Sequence, residues 1–167
     1  MKLKKASLEM KDEYLSYISE WGEEIIVPFS STLQDMEYEE WLRKTSEAEC
    51  KETCPKELVP AYTYFLVDDD DRILGAINIR FELNEYLYNF GGHIGYGIRP
   101  SERRKGYGKE MLKLALPIAK EIGLEKVLIT CDKLNTASAK TIMSQGGVLE
   151  NEVEEEGEIV QRYWIKL

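Results

Sequence analysis

Apolar residues recur at three- and four-residue intervals from Leu8 to Trp21, at Leu8, Tyr14, Leu15, Ile18 and Trp21. That spacing predicts a helix with one buried face, Ser7 as its N-cap and Gly22 as its stop. Leu3 to Ser7, just before it, reads as a short strand. A sparser helix is predicted from Asp35 to Thr45, around Met36, Tyr38, Trp41 and Leu42. Ser46 to Pro60 is polar and irregular, punctuated by Pro55 and Pro60. The pattern then changes to β-prone runs. Ala61 to Val67 and Arg72 to Phe81 flank the turn Asp68–Asp71, which predicts a hairpin. Gly92 to Ile98 forms a further strand, ended by Pro100.

A clean apolar stripe, Met111, Leu112, Ala115, Ile118, Ala119 and Ile122, predicts a helix from about Gly108 to Ile122 that Pro117 should bend or loosen. Leu124 to Cys131 is a mostly apolar strand, as expected where both sheet faces are covered. Thr136 to Gln145 is a short helix closed by Gly146-Gly147. Val148 to Glu154 and Glu158 to Lys166 pair as a last hairpin turning at Gly157. The order β-α-α-β-β-β-α-β-α-β-β is mixed α/β, with hairpins flanking a β-α-β centre. No repeat or low-complexity linker interrupts it, so the 167 residues read as one domain.

Composition narrows the function classes. The formal charge is −9, yet ten acids are confined to Asp68–Asp71 and to the stretch from Glu150 to Glu158. Both clusters fall at expected hairpin tips, where they solvate loops. Such a chain is not expected to bind nucleic acid, and no apolar run is long enough to span a membrane. The positive N-terminus lacks an apolar segment after it, so a secretory signal is not expected. Three cysteines argue against a disulfide framework and for a cytoplasmic setting. The basic residues concentrate instead in one place: Arg99, Arg103, Arg104, Lys105 and Lys109 face a single acid, Glu102.

That concentration coincides with the sharpest local motif, a strand followed by Arg-Pro-Ser-Glu-Arg-Arg-Lys-Gly-Tyr-Gly-Lys and then a helix. Gly106 and Gly108 let the backbone turn tightly and approach a ligand. The first-turn N–H groups of the helix that follows would face an anion. The arrangement is that of a pyrophosphate cradle. Neither Gly106-x-Gly108 nor Gly95-x-Gly97 completes the three-glycine dinucleotide fingerprint, since Met111 and Pro100 stand where the third glycine is needed, and no P-loop is present.

Arg103-Arg104-Lys105-Gly106-Tyr107-Gly108 resembles the R/Q-x-x-G-x-G/A signature of the GNAT superfamily of acetyl-CoA-dependent N-acetyltransferases. Ile94 to Pro100 is similar to that family's fourth strand, Asn135-x-x-Ser138 to its second cofactor element, and Gly146 to the glycine closing the following helix. The wording of Gly92 to Gly108 is also similar to a group of predicted bacterial acetyltransferases of undefined substrate.

The resemblance implies a mostly antiparallel sheet of six to seven strands flanked by about four helices, with splayed fourth and fifth strands. Residues 1–60 would be the variable N-terminal part and 61–167 the cofactor-binding core. Acetyl-CoA would be held by Ile98, Arg99, Arg103, Arg104, Lys105, Gly106, Tyr107, Gly108, Lys109, Asn135 and Ser138. An acetyl group would pass by direct attack to a primary amine, on a small molecule or a peptide. A homodimer is compatible with this reading. A non-catalytic acyl-CoA-binding regulatory module is the alternative.

Amine acetylation needs a neutral amine, a polarised carbonyl and a proton for the leaving thiolate. His93 is the sole histidine and is the expected base, with bracing of the strand as the competing role. The family's usual general acid, a Tyr four residues before the closing glycine, is replaced here by Ile142. Cys131 is expected as a buried apolar residue. Cys50 and Cys54 have poor spacing for zinc, and no metal is expected. Trp21, Tyr38, Trp41, Tyr62 and Tyr64 read either as core or as an acceptor pocket. Glu82, Glu85, Tyr86 and Tyr88 precede the fourth strand, where the family often meets its acceptor.

Overall fold

A computed structural model describes residues 1–167. The strands are β1 (Lys2–Lys5), β2 (Ala61–Val67), β3 (Ile73–Arg80), β4 (Ile94–Ile98), β5 (Lys126–Asp132), β6 (Val148–Glu155) and β7 (Glu158–Lys166). The helices are α1 (Lys11–Ser19), α2 (Tyr38–Glu47), α3 (Tyr107–Glu121) and α4 (Thr136–Ser144), joined by short 3-10 turns and one π turn, Leu87–Gly91. The order along the chain is the one expected, and the mixed α/β class holds. No helix is long and apolar enough to cross a membrane.

The strands form two antiparallel sheets, ordered β1-β2-β3-β4 and β5-β7-β6. β4 and β5 share no ladder, so the two sheets meet as a V. They touch at one end, where His93 N–H donates to the Leu128 carbonyl (2.7 Å) and Leu128 N–H donates to His93 Nδ1 (2.9 Å). From that clip the strands diverge toward α3.

Alternation along the strands sorts the side chains into two cores. Ile77, Ile79, Ile94, Val127, Ile129 and Ile165 pack with Met111, Leu112, Ala115 and Ile142 of α3 and α4 on one face. Phe65, Val67, Ile73 and Ala76 pack with Tyr14, Tyr17, Tyr38 and Trp41 of α1 and α2 on the other. The second core is largely aromatic; Tyr14 stacks on Trp41 and meets Phe65 edge-on. Tyr38 and Trp41 are therefore core residues.

Two local expectations change. Ser7 makes no side-chain cap; a 3-10 turn at Leu8–Met10 carries the chain into α1 instead. Pro117 does not interrupt α3, which runs from Tyr107 to Glu121 as one helix.

Gly95 and Gly97 acquire a role from the tertiary structure. A Cβ on Gly97 would collide with the Val27 carbonyl, and one on Gly95 would lie 3.8 Å from Pro28 Cβ. The segment around Val27 and Pro28, in the connection from α1 to α2, thus crosses β4 directly against its backbone.

Candidate functional site

The opening of the V holds a cavity of about 580 Å³. Its walls come from β4 (Tyr96, Gly97, Ile98), from the turn into α3 (Arg103, Arg104, Gly106 to Lys109), from the start of α4 (Asn135, Ser138, Thr141) and from the α1–α2 connection (Trp21, Glu24, Val27). Nine of the eleven residues expected to hold the cofactor are among them.

The turn into α3 is shaped for an anion. Arg104 and Gly106 adopt left-handed backbone angles, φ +64° and +86°. Every backbone N–H from Arg104 to Lys109 lacks an acceptor within the protein, while Glu110 N–H closes the first helical bond to Gly106. The first three of those N–H groups belong to the turn and the other three to the helix start, where no intrahelical partner exists. Six successive unbonded amides, next to Arg103, Arg104 and Lys109, supply the donors that a seat for phosphate oxygens needs.

A second set of amides lies along β4. Arg99 N–H donates to the Leu74 carbonyl, so Arg99 and its alternate neighbours Gly97 and Gly95 face β3. Alternation turns the amides of Tyr96 and Ile98 away from β3, into the cleft. The Ile98 carbonyl accepts from Arg103 Nε at 3.3 Å, in agreement with that direction. An extended ligand with its own amides would pair there as a strand would. These features fit the diphosphate and pantetheine arm of a CoA thioester.

Arg99 and Lys105 depart from expectation. The Arg99 side chain is 1 % exposed and turns away from the cavity, donating to Glu13, Glu20, Ser16 and the Ile73 carbonyl. It fastens α1 to the sheet. Its guanidinium, then the Ser101 hydroxyl, pull the Glu20 carboxyl down to about 2 against the opposing effect of burial. Lys105 is not part of the cavity wall; it pairs at 2.8 Å with Glu102, which is. Arg103 stays at the mouth, over the Trp21 ring (5.1 Å) and paired with Glu24 (2.7 Å). Asn135 has two placements in one: it lines the cavity, and its Oδ1 caps α4 by accepting from Ser138 N–H.

His93 is also corrected. It is 6 % exposed, and burial, then the nearby positive charge of Arg80, depress its pKa to about 4. The ring is neutral at pH 7. Because Nδ1 accepts from Leu128 N–H, the ring proton is on Nε2, and no free lone pair remains to take a proton from an amine. His93 is the clip between the sheets, the bracing role that competed with the base.

Tyr96 is the residue that sequence reasoning missed. Its ring spans the V toward α4, where the hydroxyl lies 3.0 Å from Ser138 Oγ. Burial raises its pKa, which keeps the phenol protonated. The only signal for it was a tyrosine set between two glycines. Ile142, where a tyrosine hydroxyl was missing, is fully buried in the core one residue beyond Thr141, which lines the same cavity. Cys131 is buried nearby and its thiol pKa is pushed up by burial, which keeps it protonated. Cys50 is exposed on the distant α2–β2 connection.

Comparison with known proteins accords with this geometry. The model of the acetyltransferase (GNAT) family matches residues 26–146. No curated protein matches the chain. Among solved structures, a ribosomal-protein-S5-alanine acetyltransferase from Vibrio fischeri superposes with TM-score 0.70 at 16% identity, covering 98% of this chain and 91% of that one. A variant of the spermidine N-acetyltransferase from Vibrio cholerae superposes with TM-score 0.69 at 16% identity, covering 99% and 95%. The GNAT domain of an S. lividans protein gives TM-score 0.64 at 11% identity, covering 99% and 89%. At these identities the likeness is one of fold.

Proposed function

Because the chain belongs to the GNAT family of acetyl-CoA-dependent acetyltransferases, we propose that it moves an acetyl group from acetyl-CoA to a primary amine by direct attack within a ternary complex. The observation that carries the reading is the run of six partnerless N–H groups from Arg104 to Lys109 at the mouth of the cavity.

Acetyl-CoA supplies an acyl carbon already activated on sulfur. The amides from Arg104 to Lys109 bind its diphosphate, and Arg103, Arg104 and Lys109 add charge. Tyr96 and Ile98 offer backbone amides to the pantetheine arm, which holds the thioester inside the V and limits its orientations. Arg103 leaves the Ile98 carbonyl and Glu24 for the phosphates as the arm enters. The amine attacks the acyl carbon and loses its proton to water in the open cleft, since His93 has no lone pair to offer. Tyr96 donates its phenolic proton to the departing thiolate, and the Ser138 hydroxyl stabilises the phenolate until water reprotonates it.

The test is calorimetry with CoA, followed by thiol release from acetyl-CoA over a panel of amines. Binding with turnover is expected, and Tyr96→Phe should lower kcat by about 10²-fold with CoA affinity unchanged. Binding without turnover on any amine would favour the regulatory-module alternative. No binding would end the reading altogether.

A further inference from the structure

The side chain that crosses the mouth of the cavity is the protein's own. Arg103 reaches from the turn into α3 to two other walls. Its Nε donates to the Ile98 carbonyl of β4 at 3.3 Å, and its Nη2 pairs with Glu24 of the α1–α2 connection at 2.7 Å. The guanidinium also lies over the Trp21 ring, 5.1 Å from its centre. All four residues line the cavity. Arg103 thus occupies a carbonyl that the pantetheine arm could use, and a carboxylate takes up the charge that a phosphate could use.

Glu24 is held where it can do this. The Trp21 ring packs on β4, with Cη2 3.1 Å from where a Cβ on Gly97 would be. Glu24 N–H donates to the Trp21 carbonyl at 2.8 Å, which closes the turn between them. Further along, the Val27 carbonyl also lies against Gly97. The segment is therefore pinned to β4 on both sides of Glu24, and Arg103 is the one cation paired with its carboxylate. The two side chains are 40 % and 56 % exposed, so solvent screens the pair and a ligand with more charge can open it.

This sets a competition. Arg103 can serve a diphosphate only by leaving Glu24, Trp21 and the Ile98 carbonyl, so part of what the cofactor gains is lost in breaking contacts the empty protein already has. We propose that Glu24 acts through Arg103 as a release residue: it draws the arginine back from the phosphates, which lowers the affinity for CoA and speeds its departure once the acetyl group has been transferred. This rests on the acetyltransferase reading above and assigns Glu24 a part in its last step.

The experiment measures CoA affinity by calorimetry and CoA dissociation by stopped-flow displacement, in the parent, Glu24→Gln, Arg103→Ala and the double variant. Glu24→Gln keeps the backbone bond to Trp21 and removes the charge. It should bind CoA about three- to tenfold more tightly than the parent and release it more slowly by a similar factor. The KM for acetyl-CoA should fall with it, while the KM for the amine stays within about twofold. Arg103→Ala should weaken binding. Adding Glu24→Gln to Arg103→Ala should change CoA affinity by less than about 1.5-fold, because the glutamate then has no arginine to recapture. Glu24→Ala is read in the same way if the glutamine variant fails to fold.

Unchanged or weaker CoA binding in Glu24→Gln would overturn the proposal. So would an equal tightening with and without Arg103, which plain repulsion between Glu24 and the phosphates would produce. Failure of the parent and of every variant to bind CoA would instead overturn the acetyltransferase reading, so the two failures are distinct.

Discussion

The two ends of the V are built from the same kinds of groups and used in opposite ways. At the closed end, His93 and Leu128 exchange bonds through N–H, C=O and ring nitrogen, so those polar groups are spent on the protein itself. At the open end, six consecutive N–H groups have no partner. The same contrast separates Arg99, buried between two carboxylates, from Arg103, which is 40 % exposed at the cavity mouth and meets one. Residue type says little about role here. What distinguishes a brace from a binding group is whether its hydrogen-bonding capacity is already filled.

The sharpest way to break this contrast is at the filled side. Arg99→Ala would leave Glu13 and Glu20 without their cation in a largely desolvated site, and should cost about 3 kcal/mol of stability in denaturant unfolding. CoA affinity of the folded protein should not change, whereas a cofactor-binding Arg99 would show the reverse pattern.

His93 gives the next largest effect, through pH. Its pKa is depressed in the folded chain to about 4, below the ordinary 6.5. The unfolded chain takes up the proton first as pH falls. The stability of the neutral, clipped ring is complete above about pH 6.5 and drains as pH drops toward 4, by about 2–3 kcal/mol. His93→Asn keeps an acceptor for Leu128 N–H and removes the titration. Its unfolding free energy should fall less steeply than the parent's over that window, and its turnover should stay within about threefold of the parent's. A loss of about 10²-fold or more would restore His93 as the base.

At the unfilled side, Gly106→Val forces a branched side chain into the left-handed region beside the cradle and should weaken CoA binding by about 10- to 100-fold in calorimetry. Gly108→Ala should have the smallest effect, less than about threefold. A Cβ there meets only Tyr96 and Thr141 side-chain atoms, at 3.7–3.8 Å, which is ordinary contact. If the two glycines respond alike, the cradle is not where the amides place it.

Much of this was legible along the chain because it is local. Alternation drew the hairpins, the apolar stripe drew α3, and the turn from Arg103 to Gly108 carries its own backbone chemistry. The misread residues depend on partners far away in sequence. Arg99 looks like part of a basic loop until Glu13 and Glu20 arrive from 86 and 79 positions away. His93 looks like a free imidazole until Leu128 N–H reaches it. Gly95 and Gly97 look like an incomplete nucleotide fingerprint, and only the crossing of Val27 over β4 explains why Gly97 carries no side chain. Tyr96 gave no periodic signal, since its meaning comes from α4 across the cleft.

The separation of the sheets into two ladders has a consequence for how the molecule opens. Backbone bonding is continuous within β1-β2-β3-β4 and within β5-β7-β6, and between them it rests on the few atoms around His93 and Leu128. Amide hydrogens in the two ladders should therefore exchange with deuterium as two groups with separate opening free energies. The amides of His93 and Leu128 report the coupling between the groups. A ligand bridging the V would slow exchange in both ladders together and make the pair behave as one cooperative unit.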